Sequence, residues 1–322
     1  MKNLRSYIVP SVLAVFALSG CGSDKSTTGT ADNPNLPLVA FAQANSQDPW
    51  RQVFDKDIKQ AADKHSSEFQ FTEQEAGDDP KKQIDEIETL MVKKPKVLLV
   101  SPVTEASQKA IEDAHDAGAY VILLDRSIPG NKWDVYVGGD NYTIGKMAAE
   151  FMGKKLNGKG IILMIRGIAD AIPTKERAGG FMDAMKQFPE ISVIQGDDCG
   201  YQRAKAQTFM ENFLQSKKPF DAVYAHNDEM AIGAYLAMSQ ANAPAKMIVG
   251  IDGCQKEVVK DIKDGKIAAT FRYPQPGAPA IDIAADYLKG KKHPSNKVLL
   301  PTEMVTKDNA EKYLQEHPNL AD

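Results

Sequence analysis

From Leu38 to the C-terminus, short apolar and β-branched runs alternate with longer stretches whose apolar positions recur at helical spacing. LVAFAQ from Leu38, FQFTEQ from Phe69, VLLVS from Val97 and YVILLD from Tyr120 have strand length and composition. Helical patterns over 49–65, 80–93 and 105–117 separate them. SIPGNKWD after Asp125 is loop chemistry; VYVGG is then extended, and Asp140-Asn141-Tyr142-Thr143 caps a helix running to about Leu156. A second alternation follows: IILMIRG, ISVIQG, AVYAHN and MIVGID predict strands, with helices starting near Thr174, Gln202, Asp228 and Gln255.

Repeated strand–helix units predict parallel sheets with helices on both faces, an α/β fold of two doubly wound, flavodoxin-like lobes. The last part reads differently. AATFRY predicts a strand, 277–289 a helix, VLLPTEMV a strand and 309–317 a closing helix. Two similar five-strand lobes fit this count only if the final strands are shared, which places chain crossings near Gly139, Arg272 and Pro301. The N-terminal lobe is then 37–139 plus 273–300 and the C-terminal lobe 140–272 plus 301–322, joined by a three-segment hinge suited to closing on a ligand.

The N-terminus carries Lys2 and Arg5 ahead of an apolar stretch from Tyr7 to Leu18, too short to span a bilayer comfortably. It reads as a signal peptide, and Leu18-Ser19-Gly20-Cys21 resembles a bacterial lipobox, which implies a lipid on the Cys21 thiol. Residues 22–36, rich in Ser, Thr, Gly, Asp and Asn, read as a flexible tether. The formal charge is −4, and −6 once Lys2 and Arg5 are removed with the leader. No basic block remains to track a phosphate backbone, so nucleic acid is not an expected partner. Cys199 and Cys254 follow the second and fourth strands of one lobe. That separation, about 14 Å at the usual strand spacing, exceeds the reach of a disulfide, so free thiols are expected.

In open parallel sheets, ligands sit beyond the carboxyl ends of the strands. Here those ends are polar: Asn45-Ser46-Gln47-Asp48-Pro49-Trp50-Arg51, Asp125-Arg126-Ser127, Arg177, Tyr201, Asn227-Asp228 and Asp252-Gly253. Carboxylates and amides pair with adjacent hydroxyls, arginine supplies a planar fork of donors, and an aromatic ring stacks on the C–H face of a sugar. Each residue also has a plain structural reading. Trp50 could cover the first helix, Asp125-Arg126 could be a local ion pair, Arg177 could pair with helix neighbours, Asn227 could be a helix cap and Asp252 a turn residue.

LLDRS, ERAGGF, VYAHNDEMAIGA and VGIDG, in order along a chain that matches from about Leu38, resemble the ribose/galactofuranose branch of the type I periplasmic binding proteins of ABC importers. The resemblance implies that Trp50 stacks on a sugar and that Gln47 and Arg51 hydrogen-bond from the same loop. It further implies that Asp125 and Arg126 grip hydroxyls from the first lobe, and that Arg177, Tyr201, Asn227 and Asp252 close from the second. In the hinge segment after the AATFRY strand, where ribose binders carry glutamine, the nearest counterpart is Arg272, with Tyr273 and Gln275 close by; Gly139 stands where they carry a polar residue. The pairing Trp50-Arg51 leans toward galactofuranose-type members.

The five histidines are scattered without metal-ligand spacing, and no GxSxG, Walker A or GxGxxG motif follows a strand, so no metal, cofactor or enzyme activity is expected. The sequence signals no acid with a raised pKa of the kind a glycosidase needs. A repressor of the same fold would need a helix-turn-helix where the leader and tether stand. The expected activity is capture of a monosaccharide, pentose or hexose, neutral or as runner-up acidic, by a monomeric lipoprotein held at the membrane only by its lipid. Its expected partner is an ABC permease, or alternatively a chemoreceptor or sensor kinase.

Overall fold

The computed structural model describes residues 35–322; the leader, Cys21 and most of the expected tether lie outside the described residues. The first part of the chain runs β1 (Leu38–Gln43), α1 (Pro49–Lys64), β2 (Gln70–Glu75), α2 (Pro80–Val92), β3 (Val97–Val100), α3 (Gln108–Asp116), β4 (Tyr120–Leu124) and β5 (Val135–Gly139). The second runs α4 (Asn141–Lys155), β6 (Lys159–Arg166), α5 (Ile172–Met185), β7 (Glu190–Asp198), α6 (Arg203–Gln215), β8 (Ala222–Ala225), α7 (Asp228–Gln240), β9 (Met247–Asp252), α8 (Lys256–Lys263) and β10 (Ala269–Arg272). α9 (Gly277–Leu288), β11 (Lys297–Leu300), β12 (Met304–Thr306) and α10 (Ala310–Glu316) complete it.

Helix starts follow local chemistry. Asp48, Asp79, Asp140 and Asn227 each accept backbone N–H bonds ahead of α1, α2, α4 and α7, and prolines stand in the first turns of α1 and α2. Each such cap contributes about 1 kcal/mol. Alternate strand residues separate onto the two faces of a sheet: Val39 and Phe41 join one apolar cluster, Ala40 and Ala42 another.

Among the described residues there are two six-stranded sheets, ordered β11-β5-β4-β3-β1-β2 and β12-β10-β9-β8-β6-β7. Each keeps the flavodoxin-like order 2-1-3-4-5 and gains a sixth strand from the end of the chain, one more than the five-strand count. The extra pair arises because VLLPTEMV is not one strand. β11 pairs parallel with β5, Leu300 opposite Gly139, whereas β12 pairs antiparallel with β10, Met304 opposite Phe271. Pro301, which has no N–H to donate to a ladder, ends the first of them. The chain therefore passes between sheets after Gly139, after Arg272 and through 301–303. Cys199 and Cys254, after β7 and β9, lie three strand positions apart as buried, unpaired thiols. No helix among the described residues is long and apolar enough to cross a membrane.

Candidate functional site

The C-terminal edges of both sheets face a common cleft. On the first lobe, Asp48 caps α1 through its side chain (Arg51 N–H to Oδ1, 2.9 Å), which sets Trp50 and Arg51 in the opening turn. The buried Arg51 guanidinium donates to Ser101 Oγ at 2.8 Å, to Gln43 Oε1 at 3.2 Å and to the Asp125 carboxylate in a close ion pair. Asp125 has φ +63°, and its backbone is pinned: its carbonyl accepts from the Tyr136 hydroxyl (2.8 Å) and the Tyr273 hydroxyl (3.1 Å). Arg126 donates to the carbonyls of Val103 (3.0 Å) and Pro102 (3.3 Å) and lies 3.7 Å from Asp78. The Trp50 indole N–H donates to the Tyr273 carbonyl at 3.0 Å, so α1 is bonded to the second hinge segment.

On the second lobe, Arg177 of α5 donates through Nε to Asn141 Oδ1 (2.9 Å) and through Nη1 to the His226 carbonyl, and stands 3.8 Å from Asp252. Its guanidinium lies over the rings of Tyr273 and Tyr201, at 5.1 and 5.8 Å. The Tyr201 hydroxyl is 2.7 Å from Thr174 Oγ1. Asn227 accepts from Met230 N–H (3.0 Å) as the cap of α7 and donates to the Tyr201 carbonyl (3.2 Å), so its amide is used on both sides.

Together these groups enclose a cavity of about 50 Å³ lined by Asp48, Trp50, Arg51, Asp125, Arg126, Pro173, Arg177, Tyr201, Asn227, Asp252 and Tyr273. Two expected residues are not among them, and both are corrections by one position. Gln47 is exposed on the loop; the neighbouring Asp48 lines the cavity, because the capping turn points its side chain back over α1. Arg272 turns away toward Glu303 (3.7 Å) and lines a separate cavity of about 250 Å³ with Gln275 and the C-terminal segment. In extended backbone successive side chains point to opposite faces, so Tyr273 enters the cleft as Arg272 leaves it. Asp48-Pro49 is itself a helix-start signature, so the cap is legible in the sequence, although its facing the cleft is not.

The departures at Gly139 and in the second hinge segment have one cause. A Cβ at Gly139 would stand 2.6 Å from the Tyr273 ring, so the ring fills the space a side chain there would need.

Three aspartates (48, 125, 252) and three arginines (51, 126, 177) line the cavity. Burial holds the Asp252 carboxyl well above the usual carboxylate range, with Arg177 pulling it down and buried Asp228 behind it pushing it up. Burial also raises Asp48, against the pull of Arg51. The expectation of no acid with a raised pKa is thus corrected: desolvation in the closed cleft, which sequence does not display, raises two.

Two α/β lobes joined by three chain segments, with a buried polar cleft at the strand ends between them, define a hinged binding protein. Residues 39–292 match the family described as periplasmic binding protein domain, and the chain belongs to that family. It is 31% identical to the ribose import binding protein RbsB of Bacillus subtilis, over 91% of this chain and 95% of that one. It is 28% identical to the galactofuranose-binding protein YtfQ of Escherichia coli, over 88% and 92%. Among solved structures, the fructose-binding periplasmic domain of a hybrid two-component system superposes with TM-score 0.82 at 32% identity, covering 87% of this chain and 94% of that one. A galactofuranose-binding protein superposes with TM-score 0.83 at 27% identity, covering 88% and 99%.

Proposed function

We propose that this chain captures a neutral monosaccharide, a pentose or hexose in pyranose or furanose form, in the inter-lobe cleft and delivers it unchanged to the permease of an ABC importer. The observation that carries this reading is the balance of three arginines and three aspartates around one small cavity flanked by Trp50, Tyr201 and Tyr273. Such a set, with donors and acceptors side by side, pairs with sugar hydroxyls in both directions. Relatives named for ribose and galactofuranose support the sugar class.

In this reading Trp50 stacks on the sugar; Asp48, Arg51, Asp125 and Arg126 bind hydroxyls from the lobe formed by 37–139 and 273–300. Arg177, Tyr201, Asn227 and Asp252 bind from the lobe formed by 140–272 and 301–322, and Tyr273 covers the hinge side. Export ends with a lipid on Cys21, and residues 22–36 leash a monomer to the membrane. A second reading, presentation of the sugar to a sensor, is favoured by the 32% identity to the periplasmic domain of a two-component system.

Thermal shift against D-ribose, D-galactose, D-fructose and L-arabinose, beside D-galacturonate and ribose 5-phosphate, tests the ligand class. A sugar at a thousand times its Kd stabilises by about 4 kcal/mol. A rise in Tm with the neutral set alone is expected; a rise with only the anionic pair overturns the neutral reading. Recovery of a permease, rather than a sensor, by the tethered protein with sugar present separates the two partners.

A further inference from the structure

Asp228 lies behind the cleft, at the first turn of α7, and is 1% exposed. It does not line the cavity, yet both of its oxygens are engaged. Oδ1 accepts from the Thr270 hydroxyl of β10 at 2.7 Å, and Oδ2 accepts from the Gly253 N–H at 2.7 Å, the residue directly after Asp252. The sheet leaves room for it: a Cβ at Gly250 on β9 would stand 2.2 Å from Asp228 Oδ1.

The segment it grips is the most unusual backbone in the cleft. Asp252 has φ +128° and Gly253 φ +62°, and the first of these is a course that side chains other than hydrogen rarely adopt. Other bonds to the turn go to its carbonyls, from Tyr273 N–H to Asp252 (3.0 Å) and from the Tyr313 hydroxyl to Gly253 (2.6 Å). Asp228 is the acceptor for its N–H. The same helix start carries Asn227, which holds the Tyr201 carbonyl, so one turn of α7 anchors Tyr201, Asn227 and Asp252 relative to one another.

We propose that Asp228 is a positioning residue: by holding the Gly253 N–H against the end of β9 it keeps the 252–253 turn in the left-handed course that aims the Asp252 carboxylate into the cleft. Affinity then depends on a residue that does not touch the ligand. The part concerning affinity rests on the cleft being the sugar site; the part concerning the turn does not. Asparagine can serve in its place, accepting from Gly253 through Oδ1 and donating to Thr270 Oγ1 through the amide. Alanine leaves the buried Gly253 N–H without an acceptor.

The experiment measures amide hydrogen exchange by NMR on ligand-free full chain, wild type, Asp228→Asn and Asp228→Ala, followed by calorimetric titration with whichever of D-ribose, D-galactose, D-fructose or L-arabinose stabilises the wild type most. In Asp228→Ala the Gly253 amide is expected to exchange at least tenfold faster while Val223 in β8 keeps its rate, and Kd is expected to rise at least tenfold. In Asp228→Asn both stay within about threefold of wild type. Unchanged Gly253 exchange, unchanged Kd in the alanine variant, or equal acceleration at Gly253 and Val223 overturns the proposal, the last by reducing Asp228 to general stability. If none of the four sugars binds the wild type, the sugar reading has failed, and exchange at Gly253 against Val223 still decides whether Asp228 holds the turn.

Discussion

Asp125, Tyr201 and Asp252 all carry backbone with φ between +62° and +128°, and each is pinned by bonds from other elements. Such conformations cost about 1–3 kcal/mol each and persist where the surroundings over-determine them. Arg51 is the clearest source of that constraint on the first lobe, because it holds Asp125, Gln43 and Ser101 at once. Arg51→Ala leaves the Asp125 carboxylate buried with Arg126 at 3.8 Å, and the expected loss is about 3–5 kcal/mol in urea unfolding, together with loss of sugar binding. Asp228 gives a pH signature. Burial pushes its carboxyl up to about 7, opposed by the Thr270 and Gly253 bonds, among neighbours Glu229, Arg177, Asp252, Cys254 and Tyr313. A raised folded-state pKa means the folded chain holds a proton that the unfolded chain releases near 4, so stability falls as pH rises from about 4 to about 7. One such proton contributes a slope of up to about 1.4 kcal/mol per pH unit, and Asp228→Asn should flatten the fall in denaturant midpoint between pH 5 and 7. An unchanged slope would assign the titration to other groups. At this scale the sequence pointed to strand ends that the structure gathers around one cavity, because polar residues after apolar runs mark them. It could not separate Gln47 from Asp48 or Arg272 from Tyr273, because which of two adjacent side chains faces the cleft depends on the capping turn and the pleat.

Elements were more legible than residues, since periodicity and capping signals act over many positions. Asp48-Pro49, Asp79-Pro80 and Asp140-Asn141 all begin helices where the sequence places them. The strand read over VLLPTEMV failed for a non-local reason: its halves are long enough to pair separately, and only the sheet each finds as neighbour shows that they do. Packing between helices was hidden too. α4 and α5 approach so closely that a Cβ at Gly180 would stand 2.0 Å from the Tyr142 carbonyl oxygen, and one at Gly145 2.3 Å from the Arg177 carbonyl oxygen. The second contact falls on the backbone of a cleft residue, so helix spacing sets where the Arg177 guanidinium lies. Gly180→Ala must push α5 away from α4, at about 1–3 kcal/mol for an overpacked contact. The expected outcome is a lower Tm together with weaker sugar binding, because Arg177 moves with its helix. A variant that loses Tm but keeps its Kd would show that Arg177 is placed by Asn141 and the His226 carbonyl alone.

For the whole molecule, the hinge is where sequence and structure inform each other most. Gly139 ends β5 at the first crossing, and Tyr273 follows β10 at the second, 134 positions later in the chain. The Tyr273 ring rests on Gly139, its hydroxyl donates to the Asp125 carbonyl, its own carbonyl accepts from Trp50, and its face lies under Arg177. A single side chain thus touches both lobes and two of the three connecting segments, and the closed cleft is built around it. From the sequence alone these were two unrelated departures from a family pattern. Their connection makes a quantitative prediction. Gly139→Ala places a methyl against the Tyr273 ring at 2.6 Å, so the single variant should be destabilised and should bind sugar poorly. Tyr273→Gln removes the ring and its bond to Asp125, with its own loss. In the double variant the methyl meets no ring, so the two losses should not add: a double-mutant cycle on urea unfolding should give a coupling of at least about 1 kcal/mol in the favourable direction. Additivity within about 0.3 kcal/mol would mean that Gly139 is required by the backbone of the first crossing rather than by Tyr273. The same variants report on closure through small-angle scattering. If the Tyr273 ring is what the lobes close upon, the wild type should contract when sugar is added, and Gly139→Ala, with the ring displaced, should contract less at saturating sugar.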